Sequence, residues 1–225
     1  MNDINEQVKG IKQSFRQLMD GATAQSMRDK GLDYHLNWGV TLPRLQQMAA
    51  DIKANAAADS DVQSSSSFGE GGGSLYALAI ALWKENVREC KILATMLMPA
   101  DEVLPEVIDI WMEQTPTVEI AEQAAFNLYQ YLPYAADKAY QWVAAADTLP
   151  QLCGYHVFSR LFMRHQEPNE RGINEFIDQA LVALQSPDIT LRKAAMQAMT
   201  RFADLGLLHK RLASNAIRRI GLDFL

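Results

Sequence analysis

The sequence lacks long apolar runs, and it has only two cysteines among 225 residues. No stretch approaches the roughly 20 apolar residues that a membrane-spanning helix needs. The N-terminal MNDINEQVKG is polar and has no apolar core of the kind found in secretory signals. Cys90 and Cys153 are too far apart for a zinc motif or a disulfide framework. These absences predict a cytoplasmic protein with no membrane partner.

Motifs for cofactors and metals are also missing. GEGGGS, residues 69–74, lacks the lysine and the flanking strand that a phosphate-binding loop needs. His156, His165 and His209 do not share a metal-ligand spacing with carboxylates on one helix face. The sequence therefore predicts neither a cofactor nor a metal site.

Positive charge is scarce, since the formal net charge is −6. An acidic chain is a poor general binder of nucleic acid, because such binding depends on neutralising phosphates. The charge is uneven, however: residues 1–159 carry 11 basic and 20 acidic side chains, whereas residues 160–225 carry 10 and 7. The C-terminal excess is either chance variation on solvated helix faces or a patch that faces phosphates.

Apolar residues recur at helical spacing along most of the chain, as Ile4, Val8, Ile11 and Phe15 do near its start. No run of alternating β-branched residues indicates a strand. LYALAIALWKENVRECKILATMLM, residues 75–98, is predicted to be one helix. Prolines mark breaks between the predicted helices, at Pro99, Pro116, Pro133, Pro150, Pro168 and Pro187. We predict an all-α fold of about ten helices.

From about residue 75 the predicted helices come in pairs of roughly 35 to 40 residues, the period of HEAT and armadillo-like repeats. A single pair cannot bury its apolar face, so the pairs should stack into an α-α superhelix with a concave binding surface. We predict one such domain over residues 1–225, with a compact helical bundle as the alternative. Residues 55–74, rich in Ser, Gly and Asp, are predicted to form a disordered loop, as a passive linker or as a segment that orders over a ligand.

Two stretches carry a resemblance to a known family. LNWGVTLPRLQQMAADIKA, residues 36–54, contains a glycine-valine pair, then a proline and a leucine-rich helix. This order resembles the N-terminal motif of the DNA alkylation repair family, with matches at Gly39, Val40, Pro43 and Leu45. The family consists of bacterial alkylpurine DNA glycosylases built from HEAT-like repeats. The resemblance implies that fold, and double-stranded DNA as a partner.

A second stretch, residues 81–98, is similar to the family's helix that begins with a leucine-tryptophan pair. The matching residues are Leu82, Trp83, Glu89, Leu93 and Ala94. Where the family often has a histidine before the glutamate, this chain has Arg88.

The family's catalytic segment contains a tryptophan, an aspartate, two further residues and the catalytic aspartate. The resemblance places Val118, Glu119 and Glu122 at these three positions. The tryptophan is therefore absent, and both aspartates are replaced by glutamates. The resemblance implies catalytic roles for Glu122 and Glu119, if any catalysis is retained.

Two further family positions also differ in this chain. ITLRKAAMQAMTRFADLG resembles the family's helix with a basic-alanine pair at Lys193 and Ala194, but the following tryptophan position falls near Gln197. The family's arginine in the preceding repeat has its nearest polar candidates at His156 and Arg160.

The helical spacing distinguishes the two glutamates. The apolar stripe of their helix includes Val118, Ala121 and Ala125, and Glu122 lies on its shoulder. Glu119 lies further round and is predicted to face solvent. The pair is then ordinary acidic charge near a helix N-terminus, a residual or altered active site carried by Glu122, or a binding element without catalysis.

We therefore predict a DNA-binding protein similar to the DNA alkylation repair family, with reduced or lost alkylpurine glycosylase activity. The alternatives are a protein-interaction scaffold, with the partner on the concave face, and an active glycosylase that uses Glu122. The candidate DNA-binding residues are basic and lie towards the C-terminus: Arg160, Arg164, Arg192, Lys193, Arg201, Lys210, Arg211, Arg218 and Arg219.

Overall fold

A computed structural model describes residues 2–63 and 71–222. Within these ranges the chain forms twelve α-helices, one short 3-10 helix and no strand, which confirms the all-α prediction. The helices are α1 (Asn2–Gln17), α2 (Gly21–Asp29), α3 (Leu42–Gln63), α4 (Gly71–Lys84), α5 (Arg88–Leu97), α6 (Pro105–Glu113), α7 (Val118–Asn127), α8 (Ala135–Val143), α9 (Thr148–Met163), α10 (Glu170–Leu184), α11 (Ile189–Ala203) and α12 (Leu207–Arg219), with the 3-10 helix at Tyr129–Tyr131. None of the helices in the described ranges is both long and apolar enough to span a membrane.

The chain divides into two compact units, Met1–Leu128 (unit 1) and Tyr129–Leu225 (unit 2). The prediction of one domain over residues 1–225 stays a prediction.

In unit 1, α3 packs against α5 and α5 packs against α7, while α4 lies against α1, α3 and α5. Alternate helices thus contact one another in series, as expected for stacked helix pairs. Gly39, with φ of 74°, lets the chain pass close to α2, because a Cβ at this position would lie 2.1 Å from the Asp20 carbonyl oxygen. Helix α2 was not predicted, because it buries only Ala24 and therefore shows no apolar stripe.

The stretch predicted as one helix over residues 75–98 is two helices. Helix α4 ends at Lys84 and α5 begins at Arg88, with Val87 in an extended conformation between them. The buried Lys91 ammonium donates to the Trp83 carbonyl oxygen at 3.1 Å, and so satisfies an acceptor near the end of α4. The break puts Arg88 in the first turn of α5, where its side chain is 1% exposed.

The predicted loop over residues 55–74 needs correction at both of its ends. Helix α3 continues to Gln63 and α4 begins at Gly71, so residues 55–63 and 71–74 are helical. The alanines at 56–58 favour this extension, since alanine has the highest helix propensity. Residues 64–70 lie outside the described residues.

In unit 2, α9 packs against α8 and α11, and α11 packs against α10 and α12. Four phenylalanines from α9, α10 and α11 form its core, with ring centroids 5.0 to 5.6 Å apart: Phe158, Phe162, Phe176 and Phe202. Gly154 brings α9 close to α8, since a Cβ there would lie 2.8 Å from Val143 Cγ1. Helix α12 is therefore held, through its packing on α11, against a packed aromatic core.

Candidate functional site

Glu119 lies in the first turn of α7, where the Thr117 hydroxyl caps the helix by accepting from the Ile120 backbone N–H. Its carboxylate accepts two hydrogen bonds from Arg88, from Nε at 2.8 Å and from Nη2 at 2.6 Å. The Tyr34 hydroxyl donates a third. The prediction that Glu119 faces solvent is wrong, because its side chain is only 14% exposed and is bound on both oxygens.

Arg88 is buried and joins Glu119 to a second carboxylate. Its Nη1 donates to the Val40 carbonyl oxygen at 2.9 Å and to Glu89 Oε1 at 3.3 Å. Glu89, which is fully buried, accepts in turn from the backbone N–H groups of Trp38 and Val40. One arginine is thus shared between two carboxylates, and the network ties residues 38–40 to α5 and α7.

The pKa values follow from this network. Burial acts to raise the pKa of Glu119, but the Arg88 hydrogen bonds and charge, with the Tyr34 hydrogen bond, outweigh it and lower that pKa. Burial acts to lower the pKa of Arg88, and its contacts with Glu119 outweigh burial and raise it. Burial and the hydrogen bond to Glu119 raise the pKa of Tyr34. Glu119 is therefore ionised at neutral pH, with both of its oxygens bound by the Arg88 guanidinium.

Glu122 is placed differently, one helical turn further along α7. The residue as a whole is exposed. Nevertheless, partial desolvation of its carboxyl group and the charge of Glu119 raise its pKa. Of the two glutamates, Glu122 is the one that a ligand could reach.

Most of the aromatic surface that could stack on a base is used inside the protein. Trp83, Trp111 and Trp142 are at most 4% exposed, and Trp38 is half-buried. Trp83 and Trp111 stack on each other with centroids 4.2 Å apart and planes at 3°. The Lys91 ammonium lies 4.3 Å from the Trp83 ring centroid. Three of the four tryptophans are therefore core residues, and the two tryptophan positions of the resembled family correspond to Val118 and to a residue near Gln197.

The predicted basic residues of unit 2 fall into two groups. In the first group, each guanidinium contacts backbone or side-chain atoms of unit 2. Arg164 donates to the Gln130 carbonyl oxygen at 2.6 Å and lies over the Tyr131 ring. Arg192 donates to the carbonyl oxygens of residues 186 and 187, and Arg201 pairs with Asp204 at 3.4 Å. The half-buried Arg160 contacts the Met163 sulfur at 3.8 Å.

The second group consists of exposed cations on α11 and α12. Within the part of the chain that the structure describes, none of these side chains forms an ion pair or a hydrogen bond with another side chain: Lys193, Lys210, Arg211, Arg218 and Arg219. Helix α12 contains no acidic residue, and its buried side consists of His209, Ala213, Ala216 and Ile217. The structure therefore presents five cations to solvent from two neighbouring helices.

His156 adds no further charge at neutral pH. Burial, reinforced by the charge of Arg160, lowers its pKa to about 4. No cluster of three or more His, Cys, Asp or Glu side chains that could hold a metal is found among the described residues.

No sequence pattern predicted the buried network around Arg88. The only signal was that Arg88 occupies a position where the resembled family often has histidine. No spacing in the sequence predicts that Tyr34 reaches Glu119, 85 residues further along. Contacts of that sequence separation depend on the fold.

A family model and one solved structure show what this chain is similar to. A family model described as DNA alkylation repair enzyme matches residues 11–216. The sequence matches none of the curated proteins.

One solved structure is similar to this chain, and it belongs to "a new family of proteins related to the HEAT-like repeat DNA glycosylases with affinity for branched DNA structures". It is 13% identical, with a TM-score of 0.71 over 94% of this chain and 82% of that one. The likeness shows that this chain has the same HEAT-like fold. Because the family model covers most of its length, the chain belongs to the DNA alkylation repair enzyme family.

Proposed function

We propose that this protein binds DNA through α11 and α12 of unit 2, with affinity for branched structures, and that it releases alkylated bases at or near the background rate. The observation that carries the proposal is the set of five exposed cations on α11 and α12. The preference for branched DNA is inferred from the solved structure of similar fold, which belongs to a family with affinity for such DNA.

The binding half of the proposal rests on electrostatics. Each cation that neutralises a phosphate releases a counterion, and the affinity gained is lost again as salt rises. Side chains that are already paired with carboxylates gain less from meeting a phosphate, because an existing contact must first be broken. Lys193 and the four cations of α12 carry no such cost.

The chemical half rests on α7. Release of an alkylated base passes through a cation-like sugar, which a nearby carboxylate stabilises. Glu119 cannot supply a free negative charge, since Arg88 binds both of its oxygens. Glu122 is accessible, but glutamate is longer than the family's aspartate, and a displacement of about 1 Å can cost roughly 100-fold in rate. No tryptophan of this chain occupies the family's two aromatic positions, so cation–π stabilisation of the base is reduced as well.

One assay tests both halves. Methylated duplex DNA is incubated with the wild-type protein and with Glu122→Gln, while binding to linear and four-way-junction DNA is titrated at two salt concentrations. We expect base release at background in both proteins, and binding that weakens as salt rises. An absence of binding to either DNA at low salt would refute the DNA-binding function and favour the protein scaffold.

A second candidate function, base excision by Glu122, is favoured by the raised pKa of this accessible carboxyl group. Perturbed carboxyl pKa values are common among catalytic acids and bases. Robust base release that disappears in Glu122→Gln and persists in Glu119→Gln would establish this function instead.

A further inference from the structure

Two consecutive leucines at the start of α12 are exposed to solvent. Leu207 is 67% exposed and Leu208 is 62% exposed. Single exposed apolar side chains are ordinary on protein surfaces. Here two large apolar side chains are adjacent in sequence, on a helix that also carries four exposed cations. Together they form a surface that is both apolar and positively charged.

The leucine pair is not needed for the packing of α12. The helix is held in unit 2 by the opposite side, through His209, Ala213, Ala216 and Ile217. His209 meets the Phe202 ring edge to face at 4.9 Å. A role for Leu207 and Leu208 therefore has to come from something outside the unit.

The leucine pair shares its side of α12 with arginines. Arg211 follows Leu207 by four residues and Leu208 by three, so the three side chains are neighbours on one face. Arg218 follows Arg211 by seven residues, which is two turns and about 10 Å along the axis. Both arginines are exposed. This face of α12 is therefore apolar at the N-terminal end of the helix, and its two arginines follow along the helix axis.

This face fits DNA whose base stack is interrupted. A continuous duplex offers phosphates to the arginines but no apolar surface to the leucines. At a branch point the terminal base pairs lose a stacking neighbour and expose apolar faces. Architectural DNA-binding proteins insert leucine, isoleucine, methionine or phenylalanine between the base steps of a duplex, which requires that the steps be unstacked. Where a stacking neighbour is already missing, the same apolar contact needs less unstacking.

We propose that Leu207 and Leu208 cover exposed base faces at a DNA branch point, while Arg211 and Arg218 bind the phosphates of the adjoining arm. The inference rests on the proposed DNA-binding function and assigns its branch preference to two residues. The leucines then supply discrimination between branched and linear DNA. The arginines supply affinity for both.

Anionic lipid is the less suitable occupant of this face. Helices that bind membrane surfaces bury a long apolar face in the lipid, with cations on the other side. In α12 the long apolar face is already buried in the protein. Its exposed residues are the first-turn leucines and a row that is polar or charged up to Arg219.

The test compares two double variants. Leu207→Ser with Leu208→Ser removes the pair, whereas Met163→Ser with Val182→Ser removes two exposed apolar side chains of α9 and α10, outside the proposed DNA-binding helices, at 46% and 69% exposure. Affinities for a four-way junction and for a linear duplex built from the same strand length are measured at two salt concentrations. Circular dichroism and thermal unfolding confirm that both variants fold.

We expect the wild type to prefer the junction, and the leucine variant to lose about tenfold of its junction affinity, because two apolar side chains no longer leave water. Its duplex affinity and its salt slope should not change, since no phosphate contact is removed. The control variant should behave as wild type. This pattern would support the inference.

Other outcomes overturn it in distinguishable ways. If the leucine variant keeps the junction preference, or if the control loses as much, the leucines do not read branches although the protein still binds DNA. If the wild type binds neither DNA, the proposed function and the inference fail together. A third outcome is that the wild type binds phosphatidylserine vesicles, that the leucine variant does not, and that both bind DNA equally. This result would assign the leucine pair to a lipid surface. A dimer seen in sedimentation that dissociates only in the leucine variant would assign it to a second copy of the chain.

Discussion

Units 1 and 2 use their cations in opposite ways. Residues 1–128 carry 10 basic and 18 acidic side chains, and the most buried of these cations, Arg88, is shared between the carboxylates of Glu119 and Glu89. Residues 129–225 carry 11 basic and 9 acidic side chains, and α11 and α12 hold five cations in solvent. The same residue types therefore stabilise unit 1 internally and are open to a polyanion in unit 2.

The difference shows why charge counts alone do not locate a binding surface. A buried arginine between two carboxylates contributes nothing to an external field, because its charge is balanced within a few ångströms. An exposed arginine without a partner contributes fully, within the limits of salt screening. The location of each cation decides which role it has.

Removing Arg88 should have the largest effect on stability. Arg88→Ala leaves two acidic side chains, 0% and 14% exposed, without their counterion, and should cost about 3–5 kcal/mol in the free energy of unfolding. Arg211→Ala, the matched change of an exposed arginine in unit 2, should cost less than about 0.5 kcal/mol. Urea denaturation measures both. Equal losses in the two variants would contradict the comparison between the units.

Glu119→Gln should cost less, and its cost should depend on pH. The change replaces a charged acceptor of the Arg88 hydrogen bonds, worth about 1.5–3 kcal/mol at neutral pH. The pKa of Glu119 is lower in the folded state than its ordinary value of 4.5. Its stabilising contribution is therefore complete above pH 4.5 and is lost as pH falls through the lowered pKa. Denaturation of both proteins from pH 7 down to pH 3 should show the difference shrinking. A constant difference would contradict the ion pair.

Neutralising α12 should weaken DNA binding without affecting unit 1. Replacing Arg211, Arg218 and Arg219 with alanine should flatten the log–log salt dependence of binding by about two to three units, at roughly 0.9 per phosphate contact. The control replaces three exposed cations of unit 1 with alanine: Arg16, Arg44 and Lys53. That variant should keep the wild-type slope. If both triple variants lose the same amount, binding depends on net charge and not on the surface of α12.

Glu122→Gln should have the smallest effect, and its sign should be opposite to that of Glu119→Gln. The pKa of Glu122 is raised in the folded state, so folding is opposed as this carboxyl group ionises. The variant should therefore gain stability relative to wild type as pH rises from 4 to 7, by less than about 0.5 kcal/mol because the residue is exposed. Thermal unfolding at the two pH values measures this. A loss of stability at pH 7 would show that the charged form of Glu122 is favoured by the fold.

Periodicity was enough to predict the helices that bury a clear apolar stripe. Helix α1, with Val8, Ile11 and Phe15 on its buried side, is an example. It failed for α2, which has little to bury, and at the α4–α5 break, where buried polar contacts decide the backbone. The stretch that carries the family resemblance includes Gly39, whose positive φ of 74° is a local requirement that glycine meets without strain.

The all-helical class, the family resemblance and the C-terminal excess of basic residues could be predicted from the sequence, because they depend on local spacing and composition. Which charges are paired could not be predicted, because it depends on how elements distant in sequence pack together. The pairing of Arg88 with Glu119 joins residues 31 positions apart, and the Tyr34 contact spans 85. Helical spacing alone predicted Glu119 to face solvent, and it could not show that a neighbouring helix places an arginine against it. A side chain's partner is set by the packing of elements that are distant in sequence: within unit 1 this packing joins Glu119 to Arg88, and within unit 2 it leaves the cations of α11 and α12 exposed.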